Sequence, residues 1–226
     1  MSPPPMTDVL ILAAHPPELA GLTALLGDSL RAAAGSVRVA AEAIGIGLPA
    51  AAVGAAMAIR IHEPRCVVLV GTCGVYAGRG GELAVGAVVR ARRIQLVSTA
   101  MVEGRGAFPA PMNVVAETDA GLSAAIGAAA KAVDVATTLA ITTDDTLARR
   151  VGETTGCEVE HLEAFAVAAA CTAERVPMAA VFGVANRVGS PARDEWRRHH
   201  ESAGKAATDV VAAWLERGAP GVPVRT

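Results

Sequence analysis

The chain has 226 residues, with 20 basic side chains against 22 acidic ones and a net charge of -2. That balance, with a pI of about 6.2, excludes an electrostatic nucleic-acid binder, which needs a basic face and a high isoelectric point. The length suits one compact domain that buries about 70% of its unfolded surface; with 52% hydrophobic residues but only two Trp, one Tyr and three Phe, its core must be built from Ala, Val, Leu and Ile.

Residues 1–7 read as a proline-rich tail without the basic-then-apolar order of a signal peptide. Asp8 to Ala14 reads as a buried strand, followed by a helix expected from about Pro17 to just before Gly35. Ser36 to Ile44 is strand-like, and Pro49 sits where a helix can start, since its missing N–H is harmless there. Cys66 to Val70 is a short apolar strand ending in Gly71-Thr72-Cys73-Gly74, and Val85 to Thr99 alternates long enough for one bent strand or two. A helix is expected over Thr118–Val133, a strand over Asp134–Thr142, an Ala-rich helix over Leu162–Arg175 and a buried strand over Met178–Ala185. Ser190-Pro191 then starts a C-terminal helix reaching about Glu216, so the domain spans 8–217 and residues 218–226 read as a loose Gly/Pro tail.

Alternating strands and helices with continuously apolar strands predict a single α/β domain: a central mixed, mainly parallel sheet flanked by helices. In such sheets a ligand sits beyond the carboxyl ends of the strands. Four places meet that rule: His15–Glu18, Gly71–Gly74, Thr142–Thr143 and Ala185–Arg187.

Several chemistries are excluded or weakened. The two lysines, Lys131 and Lys205, follow no glycine loop, so there is no P-loop, and no GxSxG elbow exists. Glu158-Val-Glu-His161 has the spacing of a carboxylate–histidine metal pair but stands alone, and a solvated strand-to-helix junction is the preferred reading. Gly45-Ile-Gly47-Leu-Pro-Ala50 fits the loose dinucleotide pattern, yet the next strand ends in Val70-Gly71-Thr72, without the acid that would hold a ribose. A tight turn letting strand and helix pack closely is favoured, and neither cofactor nor metal is expected. The run Gly45–Ile59 is too short and glycine-rich to span a bilayer. Cys66, Cys73, Cys157 and Cys171 form no CxxC pair and are expected to be free thiols in a reducing cytoplasm.

Five pieces in order carry a resemblance: Ile-Leu-Ala-Ala-His-Pro-Pro-Glu18-Leu, Gly45-Ile-Gly47, Gly71-Thr72-Cys73-Gly74, Glu160-His-Leu-Glu163-Ala-Phe-Ala and Gly183-Val-Ala-Asn186-Arg-Val-Gly189. Over about residues 8–215 the chain resembles the purine nucleoside phosphorylase/nucleosidase superfamily. Within it, Glu-Ala-Phe-Ala, Ala-Asn-Arg-Val-Gly and Arg193-Asp-Glu-Trp196 are most similar to the futalosine hydrolases, which release hypoxanthine on a route to menaquinone. Methylthioadenosine/S-adenosylhomocysteine nucleosidases, nucleoside phosphorylases and a catalytically silent nucleoside binder stay open as alternatives.

The resemblance implies cleavage of a purine N-glycosidic bond through an oxocarbenium-like transition state. Glu163 would grip the ribose, and Glu18 would act as general base towards water. Alternatively, Glu163 would merely be an acid in the first turn of a helix, complementing its dipole. Asn186 would face the base. Its amide offers one acceptor and one donor, which suits a 6-oxopurine protonated at N7 better than adenine. Thr72, Cys73, Gly74, Thr142, Thr143, Leu162 and Phe165 would line the pocket, and the loop with Phe108 would cap the site of a neighbouring subunit, giving a homo-oligomer. Two departures stand out. Nucleosidases of this superfamily often carry an arginine four residues before the base-reading position, where this chain has Phe182; phosphorylases carry one on the strand before the glycine loop, where it has Leu69-Val70. Lacking both, a phosphate dianion would be poorly held, and water is the expected nucleophile.

Overall fold

The computed structural model describes residues 7–79 and 83–224; the expected N-terminal tail therefore falls almost wholly outside the described residues. In chain order the elements are β1 (Val9–Ala13), a 3₁₀ turn (Pro16–Leu22), α1 (Thr23–Leu26), β2 (Arg31–Ala34), β3 (Val37–Ala43), α2 (Leu48–His62), β4 (Cys66–Val75), β5 (Val88–Leu96) and α3 (Thr99–Val102). There follow β6 (Val115–Glu117), α4 (Ala120–Gly127), β7 (Lys131–Thr137), α5 (Asp145–Thr155), β8 (Val159–Glu160), α6 (Ala164–Glu174), β9 (Met178–Arg187) and α7 (Ala192–Glu216).

The sheet is mixed, as expected, and it closes on itself. β4 pairs antiparallel with β8, β8 parallel with β7, β7 parallel with β5, β5 antiparallel with β9, and β9 parallel with β4, completing a ring. From β4 the sheet extends through β1, β3 and β2. The parallel strands β3, β1, β4 and β9 therefore deliver their carboxyl ends to one rim.

The strands are apolar throughout because helices cover both faces. Along β1 and β4, Leu10, Leu12, Val67 and Leu69 join a cluster with α2 and α6, whereas Val9, Ile11, Val68 and Val70 join one with α4 and α7. Small residues let these layers approach: a Cβ on Gly54 of α2 would lie 2.2 Å from the Ile44 carbonyl oxygen. Gly45 and Gly47 have φ of +99° and +85°, and they make a close strand-to-helix turn in which a Cβ on Gly45 would lie 2.9 Å from the Ala50 Cβ.

Local expectations fail where pairing overrides propensity. The helix expected from Pro17 to Gly35 stops at Leu26; Gly27 turns at φ +72°, and Arg31–Ala34 becomes an edge strand in an antiparallel hairpin with β3. β4 does not end before the glycines but runs through Gly71–Gly74 to Val75. α4 is shorter than Thr118–Val133, capped by Asp119 and ended before β7 begins at Lys131, and β7 stops at Thr137 rather than Thr142. α5 has no counterpart among the expected elements, although Asp144 caps it and Ala148, Val151, Gly152 and Thr155 give it a buried face. Over residues 219–223 the expected loose tail is tied down: Trp214 Nε1 donates to the Pro220 carbonyl at 2.9 Å, Ala219 is buried, and Arg65 donates to the Val222 and Pro223 carbonyls, while residues 225–226 lie outside the described residues. All four cysteines are free and buried. Among the described residues no helix is long and apolar enough to cross a membrane.

The seam between β9 and α7 supplies a test. A Cβ on Gly183 would fall 2.0 Å from the Ala203 backbone oxygen, so Gly183→Ala should lower stability by about 3 kcal/mol in urea denaturation. Gly204→Ala, whose new methyl meets only Thr72 Cγ2 at 3.8 Å, should hold stability or raise it by up to about 1 kcal/mol. Equal losses in both would mean that this seam is not closely packed.

Candidate active site

Glu18 enters the rim from the 3₁₀ turn after β1, started by Pro16 and Pro17. Its Oε2 accepts from the His15 backbone N–H at 3.2 Å, and its Oε1 accepts from the Thr72 N–H at 3.1 Å and the Thr72 hydroxyl at 3.4 Å. Burial pushes its carboxyl up to about 7, and the nearby Glu163 charge pushes the same way, against the opposing pull of those three donors.

Glu163 precedes α6 as its N-cap residue, but its side chain makes no bond to its own helix. Oε1 instead accepts from the Gly47 N–H at 2.7 Å, reaching the turn into α2. The role of a plain helix-start acid is therefore not the one its side chain plays. Its other oxygen lies 3.3 Å from His161 Nδ1.

His161, read from sequence as part of a solvated strand-to-helix junction in preference to half of a metal pair, is instead buried in the middle of this cluster. Its backbone N–H donates to the Ala136 carbonyl, and its ring stacks on Phe182 with centroids 4.2 Å apart. Nδ1 accepts from the Glu163 backbone N–H at 3.2 Å. Burial holds the imidazole pKa below its ordinary value despite the opposing Glu163 charge, so the ring is neutral with its proton on Nε2. The point where a Gly71 Cβ would sit is 2.9 Å from Glu18 Oε1 and 3.3 Å from His161 Nε2: both atoms face the space left by that missing side chain.

Asn186 arrives on β9 through a bulge: Cys73 pairs with Val184, but the next residue, Gly74, pairs with Asn186. Its Nδ2 donates to the Arg187 carbonyl at 2.9 Å, which orients the amide; Oδ1 accepts no hydrogen bond from a described residue. A Cβ on Gly74 would lie 2.7 Å from that Nδ2. Trp196, at 40% exposure, reaches the rim from α7, donates to the Thr72 hydroxyl at 3.1 Å and stacks on His200.

The structure thus brings Glu18, Thr72, Gly74, Glu163 and Asn186 together around the end of β4. The other expected lining residues take different places. The backbone N–H and hydroxyl of Thr142 bind Glu160, which also accepts from Tyr76 OH at 2.7 Å, so Thr142 anchors a loop. Thr143 is exposed. The Cys73 thiol and the Phe165 ring belong to the apolar cluster with Leu69 and Phe182, while Leu162 is half-buried. Phe108 is half-buried after α3 and takes no part in the cluster's hydrogen bonds. Arg187 does not replace the missing arginine, because it is fastened to Glu195. Glu158 accepts from the Asp134 N–H rather than meeting His161, and among the described residues no three His, Cys, Asp or Glu are arranged to hold a metal ion. Two open hollows, beside Glu117–Asp119 and beside Arg60 and Glu174, share no residue with this cluster.

No protein-family model and no curated protein matches the chain. Solved structures do. The 5'-methylthioadenosine/S-adenosylhomocysteine nucleosidase of Helicobacter pylori superposes with a TM-score of 0.84 at 14% identity, over 95% of this chain and 100% of that one. The futalosine hydrolase of Helicobacter pylori gives 0.83 at 13%, over 94% and 98%. The nucleosidase of Streptococcus pneumoniae gives 0.80 at 19%, over 93% and 99%. This chain has the fold of these nucleosidases and of the futalosine hydrolase.

The Glu18 carboxyl ionises near pH 7 when folded against an ordinary value of 4.5, so between these values the folded chain holds the extra proton. Stability must therefore fall as pH rises through that window, by up to about 3 kcal/mol. Glu18→Gln has no such titration. Its stability relative to wild type should increase by about that amount between pH about 4.5 and pH about 8, measured by chemical denaturation. A difference independent of pH would show that the carboxyl is well hydrated.

Proposed function

We propose that the chain is a purine nucleosidase: it hydrolyses the N-glycosidic bond of a 6-oxopurine ribonucleoside, futalosine being the leading candidate, and thereby serves menaquinone biosynthesis. The observation that carries this reading is the pair of carboxylates, Glu18 and Glu163, held on either side of one neutral histidine. The open Oδ1 of Asn186 stands beside them on the neighbouring strand. In this mechanism Glu163 keeps Oε1 on the Gly47 N–H and offers Oε2 to the ribose hydroxyls, stabilising positive charge as it develops at C1′. Water attacks C1′ as the bond to N9 breaks and its electron pair stays with the base. Ionised Glu18 takes the water proton, and the base, protonated at N7 from solvent, leaves against Asn186.

Water rather than phosphate is favoured as nucleophile because no Lys or Arg side chain among the described residues hydrogen-bonds to Glu18, Thr72, Glu163 or Asn186. The amide supports a 6-oxopurine: with one N–H on the Arg187 carbonyl, it retains one acceptor and one donor for N7–H and O6. Four free, buried thiols fit a cytoplasmic enzyme. A homo-oligomer is part of the proposal. Val53, Met57 and Ile61 recur at four-residue spacing on α2 with exposures of 57–62%, an apolar stripe that a second copy would cover.

Chromatography of base released from futalosine, inosine, adenosine and methylthioadenosine, with and without phosphate, tests the reaction. Hypoxanthine from futalosine and a free reducing sugar are expected. Adenine from methylthioadenosine would instead make the chain a nucleosidase of that type, and ribose 1-phosphate would make it a phosphorylase. Glu163→Gln keeps an oxygen for Gly47 and should fold normally, yet turnover should drop at least about a hundredfold. Near-normal turnover would remove Glu163 from the chemistry.

The base preference is tested at Asn186. The ratio of kcat/KM for inosine-type over adenosine-type substrates should exceed about a hundred in the wild type, since a mismatched base leaves buried polar groups unpaired. Asn186→Asp should shrink that ratio at least about tenfold at matched pH, because an ionised carboxylate cannot donate to O6. An unchanged ratio would mean that Asn186 does not face the base.

A further inference from the structure

We propose that His161 is a further catalytic residue, whose Nε2–H donates a hydrogen bond to the attacking water and holds it between itself and Glu18. The inference rests on the nucleosidase activity proposed for this site. His161 takes the position left without an arginine: the side chain at that point of β9, Phe182, is a flat apolar ring, and the imidazole lies stacked upon it. Residue 182 thus presents no polar group of its own and instead supports the one presented from the junction of β8 and α6.

Three observations separate this from a histidine that merely fills space. Its Nδ1 is occupied by the Glu163 backbone N–H, which assigns the proton to Nε2. That Nε2 makes no hydrogen bond to a described residue and is not among the side-chain atoms sealed away without a partner, so its N–H is open to a bound molecule. It also points at the volume where Gly71 lacks a side chain, the same volume that Glu18 Oε1 faces. A water there would accept from His161 and donate to Glu18, leaving an oxygen lone pair for C1′. The histidine loses no proton in this step; Glu18 receives the one that water gives up. Being neutral, the imidazole also orients water without lowering the affinity of Glu18 for a proton, in keeping with the high carboxyl pKa.

The test is steady-state kinetics on the full chain with the nucleoside that the wild type hydrolyses. His161→Leu should keep the wild-type circular dichroism and melting curve, lower kcat at least about a hundredfold, and change KM less than about threefold. His161→Gln, which retains an N–H donor of similar reach, should keep at least about a tenth of wild-type kcat. In His161→Ala, added imidazole should restore turnover saturably, while leaving the wild type unaffected. The proposal is overturned by near-normal kcat in His161→Leu, by a rise in KM alone, or by equal losses in the Leu and Gln variants without imidazole rescue. If His161→Leu does not fold, the Gln and Ala variants decide by the same criteria. A wild type that releases no base from any nucleoside would overturn the nucleosidase reading itself, a result distinct from an active wild type that is indifferent to His161.

Discussion

Between Gly71 and Val75, β4 keeps its hydrogen bonds to β9 and, over its last two residues, gains β8 on its other side. The polypeptide is thereby fixed by its neighbours, bulge at Cys73–Gly74 included, through a segment in which Gly71 and Gly74 carry no side chain. A methyl on Gly71 would meet Glu18 and His161, and one on Gly74 would meet Asn186 Nδ2 and Val188 Cγ2 at 2.7 and 2.8 Å. The candidate site is in this sense the space that two glycines leave inside a strand. Loop glycines would have left such space too, but without the ladder that fixes the position of every neighbour.

The groups around that space are there against their own solvation. Glu18 is raised to about 7 by burial, while the imidazole of His161 is pushed the opposite way, towards the neutral form. Two carboxylates near a neutral ring, with no Lys or Arg among the described residues hydrogen-bonded to them, make a site that suits a developing positive charge and repels an anion. Preorganised donors offset part of the burden: His15 and Thr72 on Glu18, Gly47 on Glu163. Each is a backbone N–H on a short turn or a strand, so the carboxylates are oriented by rigid parts of the fold.

α7 secures the opposite side of the rim. Glu195, buried in its first turn, accepts from the Arg187 backbone and guanidinium just beyond Asn186, and Trp196 donates to the Thr72 hydroxyl that itself bonds Glu18. Asp145 at the start of α5 binds the Ser190 N–H and hydroxyl, tying down the loop between β9 and α7. α7 also closes on Gly183, where the Ala203 backbone lies too near for any Cβ. Fold stability and site geometry therefore share the β9–α7 seam.

The sequence by itself determined the class of fold and the order of its pieces. The apolar runs of β1, β4 and β9, the proline that opens α2 and the long C-terminal helix are written in residues a few positions apart, which is the range over which periodicity and turn chemistry act. Glu18 and Asn186 were legible as candidates because each follows or ends an expected strand, whereas Glu163 came only through the resemblance carried by Glu160-His-Leu-Glu163-Ala-Phe-Ala. Only the tertiary structure decided the rest. Arg31–Ala34 became a strand because β3 offered it a partner, although an alanine run favours a helix. The bulge that opposes Asn186 to Gly74 depends on the register of two strands about a hundred residues apart in the chain. Thr142 looked like a pocket residue and instead binds Glu160; His161 read as part of a solvated junction and instead joins Glu163, Phe182 and the Gly71 space. Those pairings join residues that are close only once the ring of strands has closed, and no local pattern encodes which side chain will face which.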